Sequence, residues 1–163
     1  MKTILVSVDF SDVTQKIIDQ VIKIAKPLNA NIRLIHITNP AKDSIDIQAG
    51  VHIPLMDGMN EGYMTPIKYD IIRDQIASHL KSQRAQLFEL RKQLMENNID
   101  TVSLLIEGDI VQTIIDEAKE INADLIILGS HGHGALHKAF VGSITNGVLK
   151  KKLSCPVLIV PAS

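Results

Sequence analysis

Five short apolar runs, separated by stretches of helical period, constrain this chain more than any other feature. Ile4 to Val8 is almost unbroken, and Ile32 to Ile37 is interrupted only by Arg33 and His36. Val102 to Ile106, Leu125 to Leu128 and Val157 to Val160 complete the set. Short runs without sustained polar alternation belong to strands covered on both faces. Between the first two runs, Val13, Ile17, Ile18, Val21, Ile22, Ala25 and Leu28 recur at three-to-four spacing. Ile67, Ile71, Ile72, Ile76, Leu80, Leu87, Leu90 and Leu94 do the same along a longer helix with a polar outer face. Ile110, Val111, Ile114, Ile115, Ala118 and Ile121 mark a third helix, and a fourth is predicted from Ser143 to Leu153 with Lys150, Lys151 and Lys152 at its end. Alternation of this kind predicts an α/β fold: a doubly wound, open, parallel five-stranded sheet with helices on both faces. Right-handed crossovers leave few strand orders, and 3-2-1-4-5 is the one adopted among them.

Size and charge narrow the function classes. At roughly 150 residues per domain, the 163 residues are expected to make a single domain over 1–163. With 45% hydrophobic residues it can build a core without a metal or disulfide staple, and its one cysteine, Cys155, has no intramolecular partner, as expected in a reducing compartment. A net charge of −1 gives no broad basic footprint for nucleic acid. The first apolar run meets Asp9 at once, whereas a membrane span needs about 20 apolar residues. The expectation is a soluble, cytoplasmic protein engaging neither nucleic acid nor membrane. Thr38 to Pro66 carries Pro40, Gly50, Pro54, Gly58, Gly62 and Pro66 and no sustained period. A connection that long is expected to be a flexible, functional loop over the upper edge of the sheet.

The fourth run leads straight into Gly129-Ser130-His131-Gly132-His133-Gly134, and the fourth helix follows Gly142-Ser143. Glycine at the end of a buried strand permits a sharp turn and a close ligand approach. Amides at a helix N-terminus favour an anion such as phosphate, and Ser143 could cap that helix or meet a phosphate oxygen. Open α/β sheets bind ligands beyond the carboxyl ends of their strands where the winding reverses. In the order 3-2-1-4-5 that crevice lies between the first and fourth strands, so Asp9 and Gly129 would both face it. Tight connection alone remains an alternative for the loop, and capping of the first helix an alternative for Asp9. No G-x-x-x-x-G-K-[ST] occurs, and the first strand ends in Val8-Asp9-Phe10-Ser11 and not in a dinucleotide-type glycine turn.

Gly129-x2-Gly132-x9-Gly142-Ser143 resembles the G-x2-G-x9-G-[ST] signature of the ATP-binding branch of the universal stress protein family. Asp9 in Val-Asp-Phe-Ser-Asp, Leu34-Ile35-His36-Ile37, Glu107-Gly108-Asp109 and Cys155 to Pro161 look like the same family in the same order. The resemblance spans essentially the whole chain, with Thr38 to Pro66 the least constrained part. It implies the 3-2-1-4-5 order, in a fold of the adenine nucleotide α-hydrolase-like kind. It also implies roles: Asp9 on the adenosine end, Ile37 lining the adenine pocket, and Leu128 and Gly129 near the ribose. Gly132, Gly142, Ser143 and Ile144, with His131 beside them, would hold the phosphates of ATP, ADP or AMP. Mg or Mn would bind through those phosphates and not through protein side chains. His133-Gly134-Ala135 departs from the pattern just after Gly132. The family further implies a homodimer through the last strand, Val157 to Val160, which would also protect an apolar sheet edge.

Other clusters read more plainly. His131, His133 and His137 form an H-x-H-x3-H pattern, but structural zinc wants about four ligands and a glycine loop holds three imidazoles poorly. His36 reads as a core histidine, and Lys150 to Lys152 as a solvated helix end. Ser11 or Asp12, with Gln15, reads as a helix start. No nucleophile elbow and no placed arginine favours catalysis, so any ATP turnover is expected to be slow. The function expected is a stress-response regulatory module that binds an adenine nucleotide. A slow ATP hydrolase and a nucleotide-free dimeric interaction protein are the alternatives.

Overall fold

The structure, a computed structural model, describes residues 2–39, 66–130 and 142–162, with the side chains of residues 66–72 outside that description. In chain order the elements are β1 (Thr3–Ser7), α1 (Thr14–Leu28), β2 (Asn31–Thr38), α2 (Pro66–Glu96), β3 (Thr101–Glu107), α3 (Ile110–Glu120), β4 (Leu125–Gly129), α4 (Ser143–Leu149) and β5 (Val157–Val160). The five strands form one sheet in the order β3-β2-β1-β4-β5, and every pairing is parallel. Val6 stands beside Leu34 of β2 on one side and Ile127 of β4 on the other, so β1 is the centre of the sheet.

The apolar runs are continuous because both faces are covered. Ile4, Leu5 and Val6 are all buried, yet they point to alternate faces. Ile4, Val6 and Val8 join Ile17, Ile18 and Val21 of α1 and Leu87 and Leu94 of α2 in one core. Leu5, Ile35 and Ile37 join Ile114, Ile115 and Ala118 of α3 and Val148 of α4 in the other. The chain therefore winds outward from β1 to β3 across one face, returns through α3 on the opposite face, and continues to β5. The winding reverses between β1 and β4.

Three helices hand over to the next strand in the same way. Asn29, Asn98 and Asn122 each adopt left-handed backbone, with φ of 46°, 60° and 49°. In each case the asparagine N–H and the N–H after it return to carbonyls of the last turn, as Asn98 to Met95 and Ile99 to Leu94. The residues that follow, Ala30, Ile99 and Ala123, are buried, completing the apolar contact that accompanies this helix ending. Asparagine tolerates the left-handed region better than other side-chain-bearing residues.

Two local expectations change. Helix α1 begins at Thr14 with Val13 as the preceding half-turn and no side-chain cap, so neither Ser11 nor Asp12 caps it, and Gln15 bonds to Asp19. Ser11 is drawn away because its hydroxyl is bonded to Asp9. Helix α4 stops at Leu149, short of the expected Leu153, and Lys150 to Lys152 lie beyond it. The Lys151 N–H already closes a tightened turn on Val148 O, from which the chain descends to Pro156 and β5.

Candidate functional site

The candidate site lies where β1 and β4, adjacent in the sheet, send their loops off the same edge. Beyond β1 the ladder ends with the Val8 N–H donating to Ile35 O at 3.0 Å. Asp9 then turns one carboxylate oxygen onto Ser11, accepting from its N–H at 3.1 Å and its hydroxyl at 2.6 Å. Phe10, between them, has φ of 59°, which is uncommon for a bulky residue. The Ser11 carbonyl accepts the Thr14 N–H at 3.0 Å, which starts α1.

The end of β4 is tied at several points. Thr145 Oγ1 in α4 donates to Gly129 O at 2.7 Å. The Ser130 N–H donates to Val160 O at 2.7 Å, its carbonyl accepts from Gly142 N–H at 2.6 Å, and its hydroxyl accepts from Ala162 N–H at 3.1 Å. Ser130 and Gly142 thus form the two sides of a closed base for the glycine loop. Gly142 precedes α4 with φ of −57°, so Ser143 is the first helical residue and exposed, and does not cap the helix.

Of the residues singled out in the sequence, Asp9, Gly129, Gly142 and Ser143 come to this edge on neighbouring elements. Ile37 and Leu128 sit at the ends of β2 and β4, and both are buried in the core beneath α3 and α4. Ile144 is half-buried against the same core. His131, Gly132, His133, Gly134, Ala135 and His137 lie outside the described residues, as does most of Thr38 to Pro66. Among the described residues no group of three His, Cys, Asp or Glu side chains is placed to hold a metal ion. Ser130 and Thr145 carried no periodic signal that marked them in the sequence, whereas His36 is the core histidine expected there. His36 is buried on β2, and its Nδ1 lies 2.8 Å from Val8 O.

Two other features lie away from this edge. A polar cleft of about 310 Å³, lined among others by Lys26, Asn29, Asn31, Asn97, Asn98 and Asp100, opens at the opposite end, where the strands begin. Cys155 precedes β5 at that end. Burial pushes its thiol above the ordinary range, the Asp124 carboxylate adds to this, and the hydrogen bond with Ser154 opposes it. No helix among the described residues is long and apolar enough to cross a membrane.

The model of the universal stress protein family matches residues 1–161. The chain belongs to the universal stress protein family. A curated relative, universal stress protein YxiE of Bacillus subtilis, is 27% identical over 158 residues, covering 96% of each chain. Among solved structures, a universal stress protein in complex with cAMP superposes with a TM-score of 0.62 at 20% identity, covering 99% of this chain and 98% of that one. The universal stress protein from Archaeoglobus fulgidus in complex with dAMP gives 0.62 at 15% identity, covering 98% of each. The five-stranded parallel sheet expected from the resemblance is the one observed, and it is the fold of the family's solved structures.

Proposed function

We propose that this universal stress protein binds an adenine nucleotide at the β1/β4 edge and acts as a regulatory module whose bound state alters its contacts with other proteins. The observation that carries this reading is the convergence of Asp9 with Gly129 and Gly142 at the point where the winding reverses. Two relatives with the same fold are complexes with cAMP and dAMP, which share an adenine and a phosphate. In this reading Asp9 meets the adenosine end, with the oxygen not engaged by Ser11. Ile37 and Leu128 supply the apolar floor, and Gly129 lets the ribose approach. His131, Gly132, Gly142, Ser143 and Ile144 surround the phosphates. Mg or Mn would be held by phosphate oxygens, with the exposed Ser143 hydroxyl available beside them, and would neutralise their charge. The same reading extends to a single cytoplasmic domain that pairs with a second copy through β5.

Thermal unfolding with and without about 1 mM Mg·ATP tests the site, beside a Gly132→Glu variant. With a dissociation constant near 10 µM, the ligand stabilises the fold by roughly 2.7 kcal/mol. For a domain of this size the midpoint then rises by roughly 5–10 °C. The variant, which brings a like charge to the phosphates, should fold and lose the shift. No shift in the parent, with ATP, ADP or AMP, would leave the interaction-protein alternative. Loss of ATP over single-turnover incubation would favour the slow hydrolase.

A further inference from the structure

We infer that His36, a residue with no assigned part in the site, is the positioning residue that holds Asp9 in place. The inference rests on the nucleotide reading above for its functional consequence, but its geometry stands apart from any ligand. A carbonyl oxygen can only accept, so at 2.8 Å from Val8 O the His36 Nδ1 carries a proton and donates it. That bond falls one residue before Asp9, where the β1 ladder is giving out. The same ring lies against Phe10, with centroids 4.2 Å apart and planes inclined by 40°. One imidazole therefore grips the chain on both sides of Asp9.

Such a grip has a physical reason. Left-handed backbone at a side-chain-bearing residue costs on the order of 1–3 kcal/mol and persists only where its surroundings over-determine it. At Phe10 those surroundings are the His36 ring on one side and the Asp9–Ser11 hydrogen bonds on the other. A plain hydrophobic residue at position 36 would fill the core equally well, but it could not hold the Val8 carbonyl. Without that anchor the turn is free to relax toward ordinary backbone, and the Asp9 carboxylate swings with it.

Two substitutions separate the donor from the ring. His36→Phe keeps an aromatic surface for Phe10 and removes the donor. His36→Asn supplies an amide donor near the Nδ1 position and removes the ring. Each is compared with the parent in ligand-free thermal unfolding, in the backbone chemical shifts of Asp9, Phe10 and Ser11, and in titration with Mg·ATP. His36→Phe should stay folded, displace the three sets of shifts and weaken ATP binding roughly tenfold, the scale of one hydrogen bond that keeps a charged group in place. His36→Asn should restore much of both. A His36→Phe protein with the parent's shifts and affinity would overturn the assignment. So would equal loss of binding in both variants with unchanged shifts. Should neither variant fold, nitrogen-15 spectra of the parent decide: a slowly exchanging Nδ1–H is expected, and an imidazole protonated at Nε2 alone overturns the inference. A parent that fails to bind ATP refutes the nucleotide reading, while the ligand-free shifts still decide whether His36 holds the turn.

Discussion

At the scale of single residues, backbone that side chains rarely adopt falls, among the described residues, at Phe10, Asn29, Asn98 and Asn122. The three asparagines do the same work: each reverses the chain at the end of a helix and delivers a buried residue to the foot of a strand. Asn98→Ala should lower stability by about 1–2 kcal/mol, because alanine has no local hydrogen bond to offset the left-handed strain. Asn98→Gly should be neutral or mildly stabilising, because glycine adopts that region freely. Urea unfolding of the pair against the parent checks the sign. The pattern was legible in principle, since Asn29-Ala30-Asn31, Asn98-Ile99-Asp100 and Asn122-Ala123-Asp124 are one recurring tripeptide. It is too short to register as a repeat, and its meaning depends on the helix before it. His36 was legible as a core histidine, but its partners, Val8 and Phe10, were not, because they lie distant in sequence at the end of another strand.

At the scale of elements, hydrophobic period located the helices and strands but not the means by which they begin and end. Helix α3 starts at a true cap: Asp109 accepts the Gln112 N–H at 2.8 Å. Asp109→Ala should cost about 1 kcal/mol, a fall of roughly 2–4 °C in midpoint, with nucleotide affinity unchanged. An affinity that fell with it would mean the β3–α3 turn reaches the site. Helix α1 shows the opposite case, because Ser11, which could cap it, is engaged by Asp9 instead. The sequence pattern for a cap is present there, and a competing local turn overrides it. Along α2 the apolar stripe packs on the core at Leu87, Leu90 and Leu94, yet Gln83 occupies a buried position on the same face. Polar residues inside a stripe are invisible to a count of apolar ones.

At the scale of the whole molecule, topology was the most legible property. Parallel, doubly covered strands leave a strong mark on composition, and the family resemblance selected the order among the few that right-handed crossovers allow. The ties at Gly129, Ser130 and Gly142 were less legible, because they rest on hydrogen bonds of Ser130 and Thr145 that no period announces. Leu5, fully buried at the centre of β1, tests the cooperativity of the sheet. Leu5→Ala should cost about 2–5 kcal/mol, with loss of helix and of tertiary signal in one transition, as circular dichroism at two wavelengths would show. The base of the glycine loop adds a constraint in time. Besides its bond with Gly142, Ser130 is tied to Val160 and Ala162, which lie at or just past the end of β5, the last of the described strands in chain order. On the ribosome β4 can emerge and find β1 well before that strand exists. Two of the bonds that hold Ser130 therefore come late: in a nascent chain the β1–β4 pairing can form before they do.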